Sequence, residues 1–140
     1  MNDCIFCKIV EGKLPSSKVY EDDVCMAFLD INPLTPGHTL LIPKRHCASI
    51  TEACDEDLSA LVRRIPGVAT AAVKAAGAEG FSVVQLNGSA AGQVVFHLHF
   101  HIIPRRKGDG VSFNWHHQKY GPGEIDLLAE KIRQCLKERS

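Results

Sequence analysis

The chain has 140 residues, of which 45 % are apolar and 23 % charged, with 16 basic side chains balanced by 16 acidic ones. That length suits a single domain spanning 1–140, able to bury ~65–70 % of its unfolded surface, and the composition excludes a largely disordered chain. Zero net charge excludes a protein that grips nucleic acid mainly through a basic face, and no apolar run approaches the ~18 residues of a membrane span.

The N-terminus has an early acid and no apolar signal core, so a cytoplasmic address is expected. Cys4 to Val10 is short and apolar and reads as a helix capped by Asn2 or Asp3. Gly12 and Pro15 then force a turn. Val19 to Glu21 and Val24 to Asp30 read as strands about an acidic turn at Asp22-Asp23. Asn32 to Gly37, with two prolines and a glycine, is a loop, and His38 to Pro43 is strand-like. From Asp55 to Ala76 apolar residues recur at three and four, the period of an amphipathic helix, with Pro66-Gly67 predicting a kink or two helices. Phe81 to Leu86 is a strand, Asn87 to Gly92 a small-residue loop, and Val94 to Ile103 a strand closed by Pro104. The variable tail, from about 105 to 140, holds a helix from Glu124 to Lys137 with Ile125, Leu128, Ile132, Cys135 and Leu136 near one face. The pattern predicts an α+β fold, an antiparallel sheet with helices packed on one side.

The segment Phe96-His97-Leu98-His99-Phe100-His101-Ile102 alternates strictly. An extended backbone sends His97, His99 and His101 to one face and the apolar set to the other. Three imidazoles in a dry core would lack partners, so they must face a ligand, a metal or solvent. Two chemistries fit the spacing. Histidines at i and i+2 can share one zinc with an open coordination position. Alternatively, one neutral imidazole attacks phosphorus while its neighbours bind oxygens and handle protons. The context favours the second, because the preceding loop supplies Asn87, Ser89, Gln93 and backbone N–H groups suited to anionic oxygens, and no carboxylate lies within the segment. Cys4-Ile5-Phe6-Cys7 is ambiguous between redox and metal use and needs two further ligands for the latter. The other four cysteines, Cys25, Cys47, Cys54 and Cys135, show no such pattern, and the six together are too sparse for a disulfide scaffold.

The run His97 to Ile103, together with Cys4 to Ile9, Phe28 to Pro33, Pro36-Gly37-His38, Arg45-His46 and Asn87 to Gln93, resembles the histidine-triad (HIT) nucleotide-binding superfamily. The resemblance covers roughly residues 4 to 110. It implies a five-stranded antiparallel sheet with helices, and cleavage of P–N or P–O bonds in AMP-like or GMP-like purine nucleotides. It makes His99 the nucleophile that forms a nucleotidyl-histidine intermediate, with His101 and Gln93 holding phosphate oxygens, Asn87 and the backbone at Val94 nearby, and His38 supporting the catalytic imidazole. It makes Asp30 the ribose-binding carboxylate and Ile5, Phe6, Ile9, Phe28 and Ile31 the walls around the base. It implies a structural Zn²⁺ on Cys4, Cys7, His46 and His97, and a homodimer in which the long helix and a central strand of each subunit pair into one continuous ten-stranded sheet.

The sequence also departs from the family. Val94 stands where the phosphoramidase branch carries a serine, which leaves the preferred leaving group open. The block Pro104 to Asp109 is more similar to the branch that splits dinucleoside polyphosphates, which generally lacks the cysteine pair. The tail, with Trp115, His116 and His117, follows neither branch. A dinucleoside polyphosphate hydrolase and a nucleotide-binding module with little turnover are therefore alternatives.

Overall fold

The structure, a computed structural model, describes residues 3–113 and 116–139; Trp115 lies outside them. The elements in chain order are α1 (Ile5–Val10), β1 (Lys18–Glu21), β2 (Cys25–Leu29), β3 (Thr39–Pro43), α2 (Asp55–Ala76), β4 (Gly80–Gln85), β5 (Phe100–Arg105) and α3 (Glu124–Arg139), with a 3-10 turn at Ser89–Ala91. The strands form one antiparallel sheet in the order β1-β2-β3-β5-β4. The expected α+β architecture with a five-stranded antiparallel sheet is the observed one. The helices, however, do not share one side of it: α2 packs on one face and α1 on the other, because alternate residues of the strands are apolar toward both.

Local chemistry sets the turns. Asp22 accepts backbone N–H groups from Val24 and Cys25 through one carboxylate oxygen, closing the β1–β2 turn. Arg64 of α2 pairs with its other oxygen and ties the turn to the helix. Three acids open α2 and Lys74 lies in its last turn, both favourable to the helix dipole. Gly77, in the left-handed conformation, ends it as the Ala78 N–H bonds back to Val73.

Two local expectations are overturned as well. Pro66 does not split α2, which runs unbroken through 22 residues. The amide lost at Pro66 would have bonded to Val62, an exposed position, where water can satisfy the carbonyl. The cap of α1 is Cys4 rather than Asp3, and Asn2 lies outside the described residues; the Cys4 Sγ accepts the N–H of Cys7 at 3.3 Å.

The sheet separates two cores. On one face Leu41, Leu98, Phe100 and Ile102 pack against Ala60, Leu61 and Ala69 of α2. On the other, Met26, Phe28, Leu40 and Ile42 pack against Phe6 of α1. Period-2 alternation places neighbours in opposite cores, Leu40 in one and Leu41 in the next.

Gly37 delivers the chain into β3 at φ +90°, and a Cβ there would sit 3.1 Å from Pro104 and 3.2 Å from Ala76. Gly37→Ala combines an unfavourable backbone conformation with a crowded one. It is expected to lower unfolding free energy by about 1–3 kcal/mol, read as a lower urea midpoint with unchanged m-value.

Candidate functional site

The histidine run is not the long regular strand its alternation predicts. Ladder pairing begins at Phe100, and residues 95–97 form a bend. The reason lies in where its polar groups go. The Leu98 N–H bonds to the Cys47 carbonyl at 2.8 Å, and the His97 ring bonds to the Pro43 carbonyl at 2.8 Å, so the run pairs with the end of β3 and the loop after it. Phe96, expected to bury, is about half exposed, whereas Leu98, Phe100 and Ile102 do enter the α2 core. The three imidazoles stay neighbours. The rings of His99 and His101 lie 4.9 Å apart, and Phe6 stands edge-on to both His97 and His99.

Tautomers follow from the partners. A carbonyl only accepts, so His97 carries its proton on Nε2, toward Pro43, and His99 carries its proton on Nδ1, 2.7 Å from the His97 carbonyl. His99 Nε2 is then a lone pair. The Leu34 N–H donates to His38 Nδ1 at 3.0 Å, so His38 is protonated on Nε2 and donates to His101 Nδ1 at 2.9 Å. That leaves the His101 proton on Nε2. Burial pushes His38, His99 and His101 below the ordinary histidine value, His101 down to about 4 with help from its histidine neighbours. All three are neutral at pH 7.

A cleft of about 570 Å³ opens before these rings, within the size range of small-molecule sites. Ile5, Phe6, Ile9, Phe28, Asp30, Ile31, Val94, His99 and His101 line it, all of them sequence candidates. His38 is buried behind His101, with Asp30 Oδ2 3.7 Å from its Nε2. Two further candidates are outside the lining. Gln93 is buried, its amide donating to the Ala48 and Val95 carbonyls and accepting from the Gly88 N–H. Asn87 accepts the Ile50 N–H and exchanges bonds with Gln85. Both brace the loop that rims the cleft. Leu14, Pro15, Ser16, Leu86 and Val95 also line it; turn and strand-end residues such as these carry no periodic signal in the sequence.

Beside the cleft, Cys4, Cys7, His46 and His97 offer ligand atoms within 4.8 Å of one another. The sulfur–nitrogen distances Cys4–His97, Cys7–His46 and Cys7–His97 are 3.3, 3.4 and 3.5 Å, and His46 Nδ1 lies 3.2 Å from His97 Nδ1. Tetrahedral zinc with ordinary bond lengths needs ligand separations of about 3.3 Å between nitrogens and about 3.6 Å between sulfur and nitrogen. His97 Nδ1 is free of a proton because Nε2 serves Pro43, so the donor chemistry fits as well. Burial and the adjacent Cys4 push the Cys7 thiol up to about 11; a cation between the sulfurs would reverse that.

Residues 11–108 match the family model described as HIT domain. The chain is 48 % identical over 140 residues to a protein named adenylylsulfatase HINT3 from Arabidopsis thaliana, covering 97 % of this chain and 68 % of the plant protein. It is 42 % identical over 138 residues to adenosine 5′-monophosphoramidase hnt1 of Schizosaccharomyces pombe, covering 96 % and 98 %. Among solved structures, SMU.412c from Streptococcus mutans superposes with a TM-score of 0.92 at 43 % identity, over 97 % of this chain and 87 % of that one. A Zn-bound histidine triad family protein from Mycobacterium smegmatis superposes with a TM-score of 0.75 at 35 % identity, over 99 % and 98 %.

Because His101 titrates at about 4 in the folded chain, the unfolded chain takes up its proton first as pH falls. Stability from this group is level above about pH 7 and declines from about 6.5 down to about 4. Melting temperature is expected to fall across that window, and the slope to become shallower in His101→Asn, measured by calorimetry at fixed ionic strength.

Proposed function

The chain belongs to the HIT family, and from that premise we propose that it cleaves the α-phosphate P–N or P–O bond of AMP-like purine nucleotide conjugates through a nucleotidyl-histidine intermediate on His99. One observation carries the reading. The Nδ1–H of His99 is committed to the His97 carbonyl, which leaves Nε2 as a lone pair on a ring that lines the cleft. In the reaction that lone pair bonds to phosphorus while the bond to the leaving group breaks, its electron pair departing with that group. The ring then bears positive charge and keeps Nδ1–H, which the His97 carbonyl stabilises. Water cleaves the N–P bond and releases the nucleoside monophosphate.

His101, with Nε2–H, would donate to a non-bridging oxygen and stabilise the charge that builds there. His38 acts through it, fixing its tautomer. Asp30, with Oδ1 bonded to the Asn32 N–H, offers Oδ2 to ribose hydroxyls. Ile5, Ile9, Phe6, Phe28 and Ile31 would wall the base, and Gln93, Asn87 and Val94 would hold the loop whose amides face the phosphate. Two relatives named for cleaving adenylyl sulfate and an AMP phosphoramidate support the substrate class.

The Cys4, Cys7, His46 and His97 cluster would hold structural zinc, supported by its separations and by the Zn-bound relative. Four protein ligands leave no open position, so the ion would brace α1 against the β3 loop and supply no catalytic water. A homodimer is part of the same reading. Strand β4 lies at the margin of the sheet, and a second copy pairing there would extend it to ten strands.

His99→Asn is expected to lower kcat/KM on adenosine phosphoramidate by a factor on the order of 10⁴ while AMP still binds. Wild-type protein quenched in turnover should gain the mass of one nucleoside monophosphate at His99. Full turnover in the variant would overturn the covalent route. Cys7→Ser is expected to lose bound zinc and several degrees of melting temperature, yet keep AMP binding; an unchanged melting temperature on zinc loss would contradict the structural role.

A further inference from the structure

Helix α3 is 16 residues long, about 24 Å, and none of its side chains is buried among the described residues. Ile125, Leu128, Ile132 and Leu136 recur at three and four, forming one apolar stripe, and each is between 44 % and 60 % exposed. A lone helix of this length is marginal in water and needs tertiary contacts on that stripe.

The face of the sheet that carries α2 is only half covered. The helix packs on β5 and β3, and beside it a groove of about 700 Å³ runs over the β1–β2 side. Its floor includes Val19, Tyr20 and Leu29, each more than a third exposed, and its helical wall is Val68, Ala71, Ala72 and Ala75. Small side chains on that wall let another helix approach closely, so the space suits one further helix in the α2 layer.

Charge agrees with the shape. From Leu58 to Ala76, α2 carries Arg63, Arg64 and Lys74 and no acid, whereas the first seven residues of α3 carry Glu124, Asp126 and Glu130 and no base. Arg64 is turned onto Asp22, which leaves the exposed Arg63 at the groove to meet an acidic helix. We propose that α3 of one copy docks in the α2 groove of a second copy, apolar stripe inward, and that the exchange is reciprocal across a two-fold axis. The groove lies on the face opposite the cleft. Docking there is therefore independent of the reaction proposed for His99, and its absence would leave that reaction untouched.

The test mixes ¹⁴N- and ¹⁵N-labelled full-length chains and cross-links lysines, reading Lys74 of α2 against Lys131 of α3. Docking between copies predicts mixed-isotope Lys74–Lys131 peptides, with amide exchange over 125–136 slowed about tenfold or more as protein concentration rises. Ile132→Asp changes a side chain exposed in the protomer, so the fold should persist; it should abolish both signals and leave AMP binding unchanged. Arg63→Glu should reduce the mixed cross-links severalfold. Same-isotope cross-links alone would mean that α3 folds back on its own chain and would overturn the proposal. Fast exchange over 125–136 at every concentration would overturn it equally.

Discussion

Two backbone carbonyls decide what the imidazoles of this protein can do. An imidazole at neutral pH has one proton and two nitrogens, and the protein chemistry differs according to which nitrogen holds it. The Pro43 carbonyl takes the Nε2–H of His97, and the His97 carbonyl takes the Nδ1–H of His99. Each bond converts the opposite nitrogen into a lone pair, on His97 beside three other ligand atoms and on His99 in a ring of the cleft. Burial keeps these rings neutral, outweighing the nearby Asp30 carboxylate, which pulls His99 the other way, so the lone pairs are present at pH 7.

Much of the sheet was legible because its residues obey a period. The short apolar run through Thr39 to Pro43, strand-sized and buried on both faces, and the three-four recurrence from Asp55 to Ala76 both stand as elements where the sequence put them. The pairing of Cys4 and Cys7 with His46 and His97, up to 93 residues apart in sequence, had no local signal; it came only from likeness to the family. The bend at 95–97 was illegible for a related reason. Alternation reports which side chains can be buried, but not which partner the backbone finds, and here the partner is the irregular loop from Pro43 to Cys47.

Gln93 and Asn87 show the same limit from the other side. An amide near a histidine run reads equally well as a ligand to phosphate or as a brace for a loop. The difference is whether its bonding capacity is already taken. Gln93 makes three hydrogen bonds within the chain, to residues as distant as Ala48, and sequence spacing cannot reveal that. Pro66 is likewise tolerated inside α2 where the carbonyl it orphans, at the exposed Val62, can turn to water, and that depends on which face of α2 the sheet receives.

His97 joins the two sites most tightly. Its Nε2–H is fixed to Pro43, its Nδ1 lies among Cys4, Cys7 and His46, and its carbonyl orients the ring of His99. A residue held at three points has little freedom to rotate, and its carbonyl direction is set by the other two. Order in the cysteine–histidine cluster is thereby converted into the orientation of a ring two residues along the chain. The cluster therefore affects the cleft without entering it. Ring orientation also has to be fixed before substrate arrives, because a lone pair aimed even ~20° away from phosphorus loses much of the advantage of proximity.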